Sequence, residues 1–130
     1  MRILVLQESD WIERGPHQSH HLLERMVKRG HQVRVIDFEI GWRESHRFGV
    51  IAPRKVLRPP PKVIEGSSIT VVRPAAVRLP LVEYASSIVT HGFEIRRQIE
   101  EFRPDVILGF GLLNAFAGIR RARRARIPFV

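Results

Sequence analysis

The chain predicts an α/β fold, a mostly parallel sheet with helices packed on both faces. Three observations carry that prediction. Apolar runs of strand length stand at 2–7 and 106–108, as in strands buried on both faces. Segments with apolar residues at helical spacing lie between the strands. Strand and helix then alternate along the chain around one irregular region.

"RILVLQ" (2–7) is the first strand. The first helix runs from Pro16 to Arg29, with Leu22, Leu23, Met26 and Val27 at helical spacing and Glu24, Arg25 and Lys28 between them. Pro16 suits the first helical turn, where a missing N–H has no helical partner to lose. "KRGH" closes the helix with a basic last turn and Gly30 for a left-handed cap. "QVRVIDF" (32–38) is the second strand, burying Val33, Val35 and Ile36, and it completes a βαβ unit with a right-handed crossover.

Residues 41–68 are polar, basic and broken by prolines 53 and 59–61, so a long excursion with short edge strands around 54–58 is expected. "SITVVRPA" (68–75) is a strand stopped by Pro74, which allows a short edge hairpin near 54–73. A helix follows over 81–102, carrying Tyr84, Ile88, Phe93, Ile95, Ile99 and Phe102, with Gly92 as a weak point. In "RPDVILGFG" (103–111), Pro104 and Asp105 break the helix, 106–108 form a buried strand, and Gly109 and Gly111 make a tight turn. A last helix spans 112–125, and "IPFV" (127–130) begins another strand. A sheet ending on so short a strand looks unfinished, and the expectation is that the natural protein continues.

A length of 130 residues fits one domain with a sizeable core. The absence of cysteine excludes disulfides, thiolate zinc sites and cysteine nucleophiles. No window approaches 18 uninterrupted apolar residues, and the N-terminus lacks a signal-peptide cleavage site, so a cytoplasmic protein is expected. The net charge of +9, from 22 basic and 13 acidic residues, favours an anionic partner: phosphorylated ligand, anionic lipid or nucleic acid.

In open parallel sheets, ligands bind beyond the carboxyl ends of the strands. The loop "ESDWIERGPHQSHH" (8–21) is therefore well placed. A dinucleotide site needs G-x-G-x-x-G there, and residues 7–16 contain only Gly15, although Asp37 ends the second strand where a ribose would be met. A phospho-receiver would use Glu8 and Asp10 for magnesium but needs an aspartate after its third strand, and "RPAAVRLP" offers no acid before Glu83. His17 and His21 share a helix face at metal-ligand spacing. With no Asp, Glu or Cys convincingly placed beside them, the reading is no metal, one histidine lining a pocket and two solvated.

Ser19 has no identifiable base and reads as a helix N-terminal side chain. Gly109-Phe110-Gly111 offers close backbone approach at the start of the last helix, whose N-terminus suits phosphate or carboxylate, or is simply a tight turn. In "RRARRAR" (120–126), Arg120, Arg121 and Arg124 share one helix face, while Phe116, Ile119 and Ala122 lie on another, towards the sheet. That basic face is either solvated or made for an anionic membrane; nucleic acid is disfavoured because no recognition module or aromatic array accompanies it.

"MRILVL…G…HLLERMVKRGHQVRVI", "ITVVRP", "RRQIEEFRPDVILGFG" and "RIPFV" together resemble, in order and spacing, the N-terminal domain of family 4 glycosyltransferases of GT-B fold. The resemblance implies a Rossmann-like domain that faces a second one across a cleft. It implies binding of the acceptor here and of a nucleotide-sugar co-substrate mainly in a covalently linked C-terminal domain absent from this chain. Transfer would retain anomeric configuration, need no metal or other cofactor, and be lost in the isolated chain. Carried over by position, Gly15, His17 and Ser19 would meet the donor diphosphate. Gly15 is followed by Pro16, which has no N–H, where many members have a second glycine. Glu8, Asp10, Trp11, Gly109, Phe110, Gly111 and Asn114 would face the sugar or lipid-linked acceptor. Arg120, Arg121 and Arg124, with "RKVLRPPPK" (54–62), would hold the domain to the inner face of an anionic membrane. The alternative is a stand-alone Rossmann-type module binding an anionic ligand or nucleic acid.

Overall fold

The computed structural model describes residues 1–38, 50–77, 79 and 82–130; the side chains of Glu83, Tyr84, Leu113 and Asn114 lie outside that description. The central sheet contains β1 (Arg2–Gln7), β2 (Gln32–Ile36), β4 (Lys55–Leu57), β5 (Thr70–Arg73) and β7 (Val106–Phe110) in the order β4-β5-β2-β1-β7. The strands β1, β2, β5 and β7 run parallel, and β4 joins the edge antiparallel to β5. Two short strands, β3 (Ile51–Ala52) and β6 (Ala76–Val77), pair antiparallel beside it. The parallel sheet and the edge hairpin near 54–73 are therefore both present. Of the irregular excursion, 41–49 lies outside the described residues.

Period-two alternation along β1 assigns its side chains to two cores. Ile3 and Val5 pack with Leu23 of α1 (Gln18–Lys28), Val33, Val35 and Val71 on one face. Leu4 and Leu6 pack with Ile36, Ile107, Ile95 of α2 (Val82–Phe102) and Ala117 and Ala122 of α3 (Leu112–Ala125) on the other. Being covered on both sides is why these strands read as continuous apolar runs rather than alternating ones. Gly30, at φ +87, ends α1 in the left-handed conformation its position predicted.

Helix α2 is tied to the sheet by a polar ladder. Arg54 donates to both Glu94 oxygens (2.7 and 2.9 Å), Gln98 donates to Glu94 (2.7 Å), and Arg34 donates to Gln98 (2.9 Å). Burial would raise the Glu94 carboxyl, but hydrogen bonds from Arg54 and Gln98 overcome it and hold it below its usual range. The expected last strand is present as a parallel bridge of Phe129 to Ile107, supported by Gly109 N–H to the Val130 carbonyl at 2.8 Å.

Four local expectations are corrected. His17 is the N-cap of α1, so Pro16 precedes the helix instead of opening it. Strand β7 extends to Phe110, so Gly109 is a strand residue covered by the Phe129 ring and only Gly111 makes the turn. Gly92 is no weak point: α2 runs unbroken through it, and the space above it holds the Arg121 guanidinium. Phe116 is 68% exposed; the sheet-facing positions of α3 are Ala117, Gly118 and Ala122, because only small residues fit so close to β1 and β7.

Candidate site at the carboxyl edge of the sheet

From β1 the chain first moves to β2 and β5 on one side, then crosses to β7 on the other. The loops leaving β1 and β7 therefore diverge and open a crevice between them, the switch point of an open parallel sheet. A cleft of about 370 Å³ lies there, lined by Gln7, Glu8, Ser9, His17, Gln18, Ser19 and Phe110. Two helix N-termini, of α1 and α3, approach this edge.

They are not equivalent. Gly111 caps α3 at φ +128, and a side chain added there would collide with the Glu8 carboxylate. An internal anion thus lies against the start of α3, where a carboxylate is electrostatically favoured. The ligand-anion role considered for Gly109-Phe110-Gly111 is corrected accordingly. Phe110 keeps a ring on the cleft, Gly109 is packed under Phe129, and Asn114 lies outside the described side chains. Helix α1 has no acidic residue in its first turn, and its N-terminal residues His17, Gln18 and Ser19 line the cleft. Its partial positive charge is the one turned to the cavity.

The loop that delivers this helix end is held by residues whose roles the sequence did not disclose. Gly15 adopts φ +104, and an added side chain would meet the His20 ring at 2.8 Å. His20 is fully buried and stacks on Trp11, ring centroids 3.8 Å apart. Its Nδ1 accepts from the His17 N–H (3.1 Å), which assigns the proton to Nε2, donating to the Trp11 carbonyl (3.0 Å). Burial, aided by the charges of Lys62 and His17, pushes the His20 imidazole below its ordinary value, so the neutral form is the one the structure uses. The expectation of one pocket histidine and two solvated ones holds for two of the three: His17 lines the cleft and His21 is exposed, but His20 is interior. The expectation that Trp11 faces an acceptor is corrected too, since the indole is 2% exposed under the loop.

Beneath Trp11 lies a buried charge cluster. Arg73, the last residue of β5, donates to Asp37 through Nε (3.0 Å) and Nη2 (2.7 Å), and to Asp10 through Nη2 (2.9 Å). Asp10 Oδ1 also caps the N–H groups of Ile12 and Glu13, both at 2.9 Å, and Asp37 Oδ2 accepts from the Trp11 N–H at 3.1 Å. Asp37 uses both oxygens in this cluster, whereas Asp10 works through Oδ1 alone, its Oδ2 being buried without a hydrogen-bond partner among the described residues. Asp10, 1% exposed, therefore lies below the cleft and not among its lining residues. Burial raises the Asp37 carboxyl more than the Arg73 guanidinium lowers it.

On the opposite flank, a second cavity between α2 and α3 is lined by Ile88, Val89, Phe93, Phe116, Arg120, Arg121 and Arg124, among others. Phe93 and Phe116 are each 68% exposed. Arg121 lies across Gly92 and donates to the Ala117 carbonyl at 3.1 Å. Burial lowers its pKa, and the like charges of Arg124, Arg120 and Arg96 add to that. The three arginines and the apolar side chains are therefore on one surface, not opposed faces. No helix of the described residues is long and apolar enough to cross a membrane.

A family model described as Glycosyltransferase Family 4 matches residues 18–130. Among solved structures, a UGT transferase from Siraitia grosvenorii in complex with UDP aligns over 99% of this chain and 27% of its own, at 12% identity and a TM-score of 0.58. MurG from Acinetobacter baumannii aligns over 98% of this chain and 34% of its own, at 17% identity and a TM-score of 0.48. The first likeness establishes a common fold, and the chain spans only 27% and 34% of these two proteins' lengths. No curated protein matches it.

Proposed function

The chain belongs to glycosyltransferase family 4, and on that premise we propose that it is the acceptor-side domain of a retaining hexosyltransferase. Residues 1–130 form one Rossmann-like unit of the GT-B pair. A covalently linked C-terminal domain supplies most of the nucleotide-sugar pocket, and this chain alone turns over no substrate.

One observation carries the reading: the cleft at the switch point sets the α1 N-terminus, with no acidic residue in its first turn, beside a polar wall that includes Glu8 and the Phe110 ring. The helix end, with Gly15, His17 and Ser19, suits the diphosphate of the donor. Glu8 and Phe110 suit the hydroxyls and ring face of a sugar acceptor. As sugar transfer proceeds, negative charge grows on the leaving diphosphate, and fixed N–H dipoles stabilise it without reorganisation. The Siraitia grosvenorii transferase holds UDP on the same fold, which supports a nucleoside diphosphate as the leaving group.

The test is a panel of nucleotide sugars and sugar or lipid-linked acceptors offered to the protein from the complete reading frame, with products read by mass spectrometry. Retained anomeric configuration in the product and no turnover by residues 1–130 are expected. A complete protein that transfers no sugar, or a reading frame that stops at Val130, overturns the reading.

The α2–α3 surface supports a second component, peripheral attachment to the inner face of an anionic membrane. Exposed Phe93 and Phe116 beside Arg120, Arg121 and Arg124 combine apolar insertion with attraction to acidic lipid. Co-sedimentation at low salt is expected with anionic vesicles and not with neutral ones; equal binding to both removes this component.

A further inference from the structure

The loop between β1 and α1 is fastened from outside as well as from below. Prolines 59–61 have fixed φ and no N–H, so they form a stiff approach to Lys62. From Lys62 onward the backbone docks on Glu24 of α1, a residue 2% exposed. Glu24 accepts the N–H groups of Lys62 (2.8 Å), Val63 (2.9 Å) and Ile64 (2.6 Å). With its backbone held there, Lys62 extends its ammonium back across the loop. Nζ donates to the Ile12 carbonyl at 2.7 Å and to the Arg14 carbonyl.

Peptide planarity gives these contacts a consequence for the cleft. The C=O and N–H of one trans unit point in opposite directions. Anchoring the Ile12 carbonyl sends the Glu13 N–H to the other side, where Asp10 Oδ1 accepts it at 2.9 Å. Anchoring the Arg14 carbonyl likewise turns the Gly15 N–H away from the arm 59–64. That N–H has no partner among the described residues. Lys62 therefore neutralises two carbonyl dipoles that would otherwise be free to rotate, and in doing so sets the direction of an open amide just before the α1 N-terminus.

We propose that Lys62, set in place by Glu24, is a positioning residue that holds the 10–17 loop with its Gly15 amide and the α1 N-terminus presented to a diphosphate. The proposal rests on the donor-diphosphate reading of this loop. Lys62 does not line the cleft and acts only through the loop backbone.

Inorganic pyrophosphate, titrated into the ¹⁵N-labelled chain and followed by amide shifts, tests it. In the unmodified protein the Gly15, His17 and Ser19 amides shift saturably. Lys62→Met weakens that response at least tenfold and raises fast-timescale mobility at residues 12–17, while the urea midpoint moves little. Lys62→Arg, which also donates to two carbonyls, restores both readouts. Glu24→Gln, which loosens the arm upstream, reproduces the mobility increase. Unchanged loop mobility in Lys62→Met, or a lowered urea midpoint as its sole effect, overturns the proposal. If pyrophosphate moves no amide in the unmodified protein, the donor-loop reading fails. The mobility comparison still decides whether Lys62 orders the loop.

Discussion

Replacing Arg73 by methionine is the sharpest perturbation of this architecture. The guanidinium is 9% exposed and is shared by two carboxylates, Asp10 (1%) and Asp37 (0%). Methionine fills a similar volume but leaves both acids buried with the guanidinium gone. Breaking a buried charge pair from one side costs about 3–5 kcal/mol. Against a typical domain stability of ~5–15 kcal/mol, that is a large fraction. With a urea dependence of ~2 kcal/mol per molar, the midpoint falls by about 2 M. Urea unfolding followed by tryptophan fluorescence reads it, because Trp11 sits directly on the cluster through its bond to Asp37.

The same variant has a characteristic pH dependence. Burial already raises the Asp37 carboxyl, and without the Arg73 guanidinium that lowers it the folded-state value climbs further above the unfolded one. Stability from such a group is fully present below the unfolded pKa and is lost as pH rises through the folded one, so Arg73→Met is rescued by acid. Adding Asp10→Asn and Asp37→Asn removes the stranded charges while keeping acceptors for the loop amides, and most of the loss returns. A loss under ~1 kcal/mol, the value of an exposed pair, refutes the reasoning. So does a triple variant no more stable than the single one.

Glu24→Gln exchanges one of the two oxygens that accept three N–H groups for an amide donor, and the expected loss at neutral pH is about 2–3 kcal/mol. Burial opposes ionisation of Glu24, but the bonds from Ile64, Lys62 and Val63 outweigh it and lower its pKa; its contribution is present above its ordinary value of 4.5 and lost as pH falls, a portion of the acid limb that Glu24→Gln abolishes. His20 has a folded pKa below 6.5, chiefly through burial, so its contribution is complete above that pH and declines as pH drops beneath it. In an equilibrium-unfolding pH series, His20→Gln flattens this slope, leaving the share of His91, which burial shifts in the same direction. Gly15→Ala forces a side chain into φ +104 against the His20 ring; an expected cost of about 1–3 kcal/mol in urea should come with loss of the ring-current shifts that mark the Trp11–His20 stack.

The fold was legible because its signals are local. A β1 apolar on every position from Ile3 to Leu6 admits burial on both faces, and Gly30 after a basic turn marks a helix end whatever surrounds it. The prolines of 53–61 likewise confine that region to a sheet edge, and β4 is an edge strand. The position of the cleft followed from strand order, since a loop after the first parallel strand must open at the carboxyl edge. Small residues misled: Ala117 and Gly118, not Phe116, face the sheet, because close helix-to-sheet packing selects size over hydrophobicity.

Within the site, distant partners decided what each polar residue does. Nothing near Trp11 in sequence announces that His20 will stack beneath it, or that Asp10 will meet an arginine 63 residues away. In sequence Glu24 only stands between the apolar positions of its helix; the arm at 62–64 brings three N–H groups to it. Glu8 lines the cleft, but only the fold shows that its carboxylate also lies against the start of α3, leaving the α1 end as the open anion seat. Periodicity and turn chemistry depend on neighbours a few residues apart and are written in the chain. The charge and hydrogen-bond state of a buried polar group depends on whatever the folded chain brings within about 3 Å, and only the tertiary structure supplies that.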